Sequence, residues 1–396
     1  MKILVLNSGS SSLKYQLINI KNEELVAEGI CERIGQKQSQ FILKLIDKNE
    51  KISKNLNLAN HKVAINLVIE ELLKEEYGIL NSLEEVEAVG HRVVHGGEKF
   101  NKSVIVTEKE LEEIKKLSSL APLHNPANAE GIEICMELLK GKPNVAVFDT
   151  AFHQTIRPEV YMYALPYEDY TELNVRKYGF HGTSHKYVST EVSKIIGENK
   201  KIIVCHLGNG ASVCAVKNGI SVDTSMGLTP LQGLMMGTRC GDIDPASIFY
   251  IMKQRGLEVK EMDDRLNKES GLLGIFGKSS DSRDIEDGVA KGDERAMLAE
   301  DMYAYRVRAY IASYAGSLGG VDAIAFTAGI GENAASLREK ICNGLEYLGL
   351  EFDKEANSIR KNGIVELSKE NSRVKVFKVP TNEELVIARD TYELVK

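Results

Sequence analysis

The chain has 396 residues, no tryptophan and only eight prolines. It contains no apolar run near the roughly 18 residues of a membrane span, which argues against membrane insertion. The apolar stretch after Lys2 is too short for the hydrophobic region of a secretory leader and reads as a buried strand. No C-x-x-C pair occurs among Cys31, Cys135, Cys205, Cys214, Cys240 and Cys342. Their scatter excludes a disulfide framework or a zinc site and suits reduced thiols in a cytoplasmic protein. A basic excess is also missing: 50 Lys and Arg against 57 Asp and Glu leave a net charge of −7. That balance excludes a dedicated nucleic-acid binder. What remains is ordinary globular material, 43% apolar and 27% charged, long enough for about two domains.

Strand-like runs at 3–6, 88–94, 145–148, 202–205, 323–327 and 374–379 alternate with helical ones, so the pattern predicts an α/β fold. Thr107 with Glu110 three residues on forms a capping box ahead of Leu111, Ile114 and Leu117. Asn125-Pro126 predicts a second helix start, with Asn as cap. A long helix is expected from about Glu294 to Leu318, closed by Gly319-Gly320. Residues 3–19, ILVLNSGSSSLKYQLIN, and 202–218, IIVCHLGNGASVCAVKN, share one plan 199 residues apart: apolar strand, small polar turn, second strand. Two halves on one plan is the simplest account, and two unrelated hairpins is the alternative.

Three Gly-rich turns follow apolar strands, at 7–12, 206–210 and 329–333. Such turns expose N–H groups and let a backbone approach a bulky anion, so three in one chain favour a nucleotide site. Two better-known phosphate motifs fail. Gly277-Lys278-Ser279 ends like a P-loop, but the required Gly is Leu272 and no strand leads in. The G-x-G-x-x-A of 329–334 lacks the surrounding unit of a dinucleotide fingerprint and reads as a nucleotide turn at a helix N-terminus.

His91 and His95, and His181 and His185, have the spacing of a zinc protease but lack its Glu, since Arg92 and Gly182 stand in that place. His61, His91, His95, His153 and His185 read as hydrogen-bonded structural residues. Arg92 lies in an otherwise apolar strand and needs an anionic partner. Arg239 sits among small residues in MGTRCGD. Two such arginines could clamp a carboxylate and a transferring phosphoryl group. Asp149 ends an apolar strand, where α/β sheets place ligands. Glu383 follows Thr381-Asn382, so it also suits simple helix capping.

Long stretches then carry a resemblance: NSGSSSLKYQL at 7–17, GHRVVHGGEKF at 90–100, APLHNPAN at 121–128, FDTAFHQT at 148–155, YGFHGTSH at 178–185, HLGNGAS at 206–212, DTSMGLTPLQGLMMGTRCGDIDP at 223–245, FTAGIGENA at 326–334 and PTNEEL at 380–385. Together they resemble the acetate and propionate kinase family, within the sugar kinase, Hsp70 and actin superfamily. The resemblance implies two duplicated ribonuclease-H-like, actin-like ATPase domains, with mixed sheets flanked by helices around a cleft. The first is expected at 1–150 plus 384–396. The second, at 151–383, is expected to hold the nucleotide site and the interface of a homodimer.

The resemblance also assigns roles. Asn7 and Glu383 match magnesium-site residues. Lys14, with Ser10 and Ser12, matches the first phosphate segment, and His206, Leu207, Gly208, Asn209 and Gly210 the second. Asp281, Ser282 and Arg283 match one side of an adenosine site, and Gly329, Ile330, Gly331, Glu332 and Asn333 the other. Arg92 matches the residue that holds the substrate carboxylate. Asp149 matches the catalytic acid, and His181 and Arg239 the transition-state stabilisers. Val94, Leu123, Phe180 and Pro230 match an apolar pocket for a methyl group, and His124 a further active-site histidine. The implied substrates are ATP with Mg2+, for which Mn2+ can substitute, and acetate, giving ADP and acetyl phosphate.

An acetate ion needs no general base, so the chemistry reduces to alignment and charge stabilisation by Arg92, Arg239 and His181. Asp149 then orients an arginine or a metal's water shell. Double displacement through a phosphorylated carboxylate such as Asp149 is the competing route. Propionate is the alternative substrate. A non-enzymatic actin- or Hsp70-like switch is the alternative class, and it would not need two arginines and a histidine around a small apolar pocket.

Overall fold

A computed structural model describes residues 1–396. The chain divides into two units, Met1–Phe152 with Asn382–Lys396, and His153–Thr381. The return segment of the first unit begins at Asn382, and the first break falls after Phe152. Asn382 and Glu383 open the helix Glu383–Val395, whose buried face packs on strands of the first unit.

The first unit holds eight strands: β1 (Lys2–Ser8), β2 (Ser12–Asn19), β3 (Glu24–Glu32), β4 (Ser39–Leu45), β5 (Glu50–Leu56), β6 (Val86–Val93), β7 (Val104–Ile105) and β8 (Asn144–Phe148). They form one sheet in the order β5-β4-β3-β2-β1-β6-β8-β7. β1, β6 and β8 run parallel, while the meander β1 to β5 and the edge strand β7 are antiparallel. Helices cover both faces of the parallel part, which is why β1 is a continuous apolar run and not an alternating one. Val89 of β6 joins the cluster containing Ile134 and Cys135 of helix Asn125–Leu138. Its neighbour Gly90 points to the other face. A Cβ there would fall 2.6 Å from Thr391 Oγ1 and 2.7 Å from Ile387 Cγ2, so the C-terminal helix lies directly on the strand backbone.

The second unit has six strands: β9 (Lys201–Leu207), β10 (Ala211–Lys217), β11 (Ile220–Thr224), β12 (Ala323–Thr327), β13 (Val365–Glu366) and β14 (Lys375–Lys378). Their order is β11-β10-β9-β12-β14-β13. Again a hairpin meander leads to three parallel strands, β9, β12 and β14, and an antiparallel edge strand. This is the order β3-β2-β1-β6-β8-β7 repeated, with β4 and β5 as an addition to the first copy. Each leading hairpin leaves three residues between its strands, 9–11 and 208–210. The repeat in the sequence is thus one sheet plan used twice.

Local signals fare differently. Thr107 and Glu110 form the reciprocal capping box of helix Glu108–Lys116. Helix Glu294–Leu318 ends at Gly319 in the left-handed region, φ 65°. Asn125 does not cap its helix. His124 stands at the cap, and the Asn125 side chain is fully buried, bonded to both backbone groups of His95 at 3.0 and 2.9 Å. These two buried hydrogen bonds satisfy both backbone groups of His95, just beyond the end of β6. The glycines at 329–331 do not form a loop ahead of a helix, but are wound into the short helix Ala328–Asn333 itself. No helix is long and apolar enough to cross a membrane. All six cysteines are free thiols, and Cys240 is the only one not buried.

Candidate active site

In the first unit the carboxyl ends of three parallel strands carry Asn7 on β1, Arg92 on β6 and Asp149 just beyond β8. Ligands of open α/β sheets bind at this edge. The hairpin register sets Asn7 opposite Lys14, and the turn is closed by Gly9 N–H donating to Ser12 O at 2.8 Å. Ser10 and Lys14 are exposed and Ser12 half-buried.

The partner Arg92 requires is Asp149. Nε donates to Oδ1 at 3.0 Å and Nη2 to Oδ2 at 2.6 Å, a bidentate pair whose acid is 1% exposed. Burial works against the charge of the guanidinium, but Asp149 outweighs it, with Glu383 and Glu384 adding to the effect, so Arg92 is held above its ordinary value. Burial likewise pushes the Asp149 carboxyl up while Arg92 pulls it down. The pair is ionised, because the guanidinium keeps its proton and its bidentate contact falls on both oxygens of Asp149. The Nη1 edge of Arg92 makes no hydrogen bond in the protein.

Asn382 caps the C-terminal helix through its Oδ1, which accepts from Leu385 N–H at 3.0 Å. Capping is therefore the task of Asn382, and Glu383 is left in the first turn beside Glu384. Burial raises Glu384, with Glu383 adding to the rise, while Lys14 and Arg92 draw it down. Val94 is buried, and its N–H donates to Asn128 Oδ1 at 3.0 Å. Asn128 in turn donates to Ser8 O at 2.7 Å, tying the end of β1 to the end of β6. Leu123 is 65% exposed, a surface residue, and His124 is half-buried.

In the second unit the β9–β10 turn is closed by Gly208 N–H donating to Gly210 O at 3.1 Å. Gly237 N–H donates to Asn209 O at 3.0 Å, which fastens the segment carrying Arg239 to this turn. His181 precedes helix Gly182–Ile196 in the left-handed region, φ 57°, a conformation costly for a residue with a side chain and typical of functional sites. Its ring stacks on His206 at 4.1 Å and its Nδ1 lies 2.9 Å from Ser212 Oγ. Phe180 is buried, with its carbonyl 3.0 Å from His153 Nε2.

Arg239 is half-buried, and Nη1 donates to Pro230 O at 3.2 Å. No carboxylate pairs with it, and burial alone moves it, downward. A Cβ on Gly210 would sit 3.3 Å from Arg239 Nη1 and 3.6 Å from His181 Nε2. The glycine thus keeps open the spot on which the arginine and the histidine converge.

A pocket open to solvent in the second unit is lined by Ile285, Tyr303, Ile330, Ala334, Leu337 and Leu272, with Ser282, Glu286 and Glu300 as its polar groups. Its apolar walls suit a planar base, and two of its lining residues, Ser282 and Ile330, come from the two segments expected around an adenosine. Gly329 faces open space. Asn333 Nδ2 donates to Gly329 O at 2.8 Å, and Glu332 accepts from Thr381 N–H at 3.4 Å. Asp281 caps helix Ser282–Ala290 and pairs with the exposed Arg283. The rejected P-loop is a helix end: Gly277 stops Gly271–Phe276, and Lys278 pairs with Asp293.

The donors near Asn7 suit a hard divalent cation. Asp149, Glu383 and Glu384 all act on Arg92, a local excess of carboxylate over Arg92 and Lys14. Nowhere do three acidic, histidine or cysteine side chains cluster as a complete ligand set. A cation here would be held by one or two protein oxygens together with water and phosphate, the habit of magnesium.

Several residues escaped the sequence reading: Asn128, Ser184, Ser212, Arg338 and Glu384. Arg338 is buried and its Nη1 donates to Gly331 O at 2.9 Å, bracing the helix Ala328–Asn333. Ser184 Oγ lies 2.7 Å from His206 Nδ1 and 2.9 Å from Thr381 Oγ1. All but Arg338 stand inside the long motifs, so membership of a motif was the signal; Arg338 left none.

Residues 2–389 match the profile of the Acetokinase family. The chain is 61% identical over its whole length to the acetate kinase of Fusobacterium nucleatum, also covered entirely. Among solved structures it resembles the acetate kinase of Porphyromonas gingivalis, with TM-score 0.96, 45% identity and full coverage of both chains. It also resembles a propionate kinase of Francisella tularensis, with TM-score 0.93, 45% identity and 99% of each chain covered. On the strength of this match from end to end, the chain belongs to the acetokinase family.

Proposed function

We propose that the chain transfers the γ-phosphoryl group of ATP to acetate, reversibly, giving ADP and acetyl phosphate. The observation that carries this reading is Arg239: a half-buried cation with no carboxylate partner, aimed with His181 at the space above Gly210. A folded protein keeps such a charge for an anion brought by the substrate.

Acetate titrates near a Glu side chain, about 4.3, and is ionised at neutral pH. One of its oxygens attacks the γ-phosphorus, the bond to the β,γ-bridging oxygen breaks, and ADP leaves with that electron pair. Arg92 offers its Nη1 edge to the acetate carboxylate while Asp149 holds the other edge. Arg239 and His181 donate to the equatorial phosphoryl oxygens. The Gly-rich turns at 7–12 and 206–210, with Lys14, bind the polyphosphate, and the cavity beside Ile330 takes the base. Asn7 and Glu383 would hold Mg2+, which neutralises phosphate charge when bound. With both oxygens bonded to Arg92, Asp149 is a positioning group, and direct in-line transfer is favoured over a phosphorylated carboxylate.

Purified protein supplied with acetate, ATP and Mg2+ should yield acyl phosphate, trapped as the hydroxamate. No hydroxamate would remove the reading in favour of an ATP-driven switch. A γ-phosphoryl group made chiral should emerge inverted, and retention would establish double displacement instead. Gly210→Ala should lower kcat about 10- to 100-fold by displacing Arg239, since small misplacements near reacting atoms are costly. An unchanged kcat would dissociate Arg239 from the reaction.

Propionate is the second reading, favoured by the similarity to a propionate kinase. A pocket wall such as Val94 separates one methylene by only about 1–3 kcal/mol, so both acids should serve, acetate the better. Ratios of kcat/KM for acetate, propionate and butyrate decide this. We place the enzyme in the cytoplasm as a homodimer through the second unit, where Phe249, Tyr250, Val259 and Tyr305 are exposed.

A further inference from the structure

His181 and His185 share one hydroxyl. Ser212 Oγ lies 2.9 Å from His181 Nδ1 and 2.7 Å from His185 Nε2. A hydroxyl has one proton to give, so at most one of these contacts is a donation by the serine, and the other is an imidazole N–H donating to it. Three arrangements are possible. If His181 Nδ1–H donates and Ser212 passes its proton to His185 Nε2, the His185 proton must sit on Nδ1. That nitrogen is buried and has no partner, so this arrangement strands a buried N–H. If both rings donate to Ser212, the serine proton is left with no acceptor. Only the third direction gives every proton an acceptor: His185 Nε2–H to Ser212 Oγ, and Ser212 O–H to His181 Nδ1. It leaves one bare lone pair on His185 Nδ1, the cheaper defect, since buried donors without partners are the rarer kind.

We infer that Ser212 and His185 are positioning residues that hold His181 as its Nε2–H tautomer. Nε2 is the nitrogen on the side of Gly210 and Arg239. The ring is also held by its stacking on His206. His206 is itself fixed through Ser184 and Thr381. Burial, with His153 and His206 nearby, keeps His185 well below its ordinary value and therefore neutral, as the relay requires. The inference extends the reading that His181 donates to the phosphoryl group, because only this tautomer presents an N–H there without taking up a proton.

The test is long-range proton–nitrogen correlation on protein labelled with 15N-histidine, at neutral pH and without substrates. The His181 signals are assigned by their loss in His181→Asn. The expected pattern is a proton on Nε2 and an unprotonated Nδ1. A proton on Nδ1, or the doubly protonated pattern, overturns the inference whether or not any variant folds. In Ser212→Ala the pattern should become a mixture and kcat should fall at least ~10-fold, as for other histidines released from their tautomer, while both KM values stay within about twofold. Ser212→Thr should restore both. A folded Ser212→Ala enzyme with wild-type kcat and an unchanged His181 pattern refutes the relay. The underlying reading fails separately, if His181→Asn keeps full kcat while the wild-type spectrum still shows the Nε2–H tautomer.

Discussion

Arg239→Ala is expected to lower kcat about 10³-fold, the scale for removing a cation that meets charge developing in a phosphoryl-transfer transition state. KM for acetate should change little, because Arg239 bonds to Pro230 O and Met236 Sδ and is aimed at the space above Gly210. The variant should be at least as heat-stable as the wild type. Arg239 has no acid to leave behind, and burial already works against its charge, so truncation removes a cost of folding. That combination, a large loss of rate with no loss of stability, separates a catalytic arginine from a structural one. Arg239→Lys should recover little, since an ammonium lacks the planar fork. Wild-type kcat in Arg239→Ala would sink the proposed mechanism, and thermal denaturation on the same sample reads the stability.

Arg92→Ala should behave in the opposite way. KM for acetate should rise about 100-fold, with a smaller change in kcat. Unfolding free energy should fall by about 3–5 kcal/mol, because truncation leaves Asp149 as an unpaired acid buried beside Glu383. The deficit should depend on pH. A buried carboxyl with no cation holds its proton more tightly folded than unfolded, so the deficit is full at neutral pH and shrinks as acid protonates Asp149. Adding Asp149→Ala should return part of the stability and none of the affinity for acetate. Denaturant titrations of the three proteins at two pH values measure this. A stable Arg92→Ala protein with unchanged KM would remove Arg92 from both roles.

The two arginines also show how far the chain could be understood before its structure was known. An arginine among the apolar residues of 88–94 has to find an anion, and that requirement is visible in the sequence. Which anion it finds is not, because Arg92 and Asp149 are 57 residues apart and meet only through the pairing of β6 with β8. Arg239 sits among small residues in the sequence and is offered the same clamping role, yet it has no acid partner at all. The two therefore differ in what their removal should do, and only their surroundings reveal it. The histidines make the same point. His185 read as a structural residue, and its hydrogen bond agrees. That its partner Ser212 is also the partner of His181 is a matter of distance across a hairpin and a helix.

Local pattern was sufficient wherever the cause was local. The capping box at Thr107, the long helix closed by Gly319, the alternation of strands and helices and the doubled hairpin are all written within short spans of chain. The motifs carried the family. Side-chain partnership, by contrast, belonged to the tertiary structure. Asn125 looked like a cap and became a buried brace for His95. Arg338 carried no motif and braces the short helix that contains Gly331. Capping and periodicity are settled by neighbours along the chain. The charge and proton balance of a buried group is settled by what the fold packs against it.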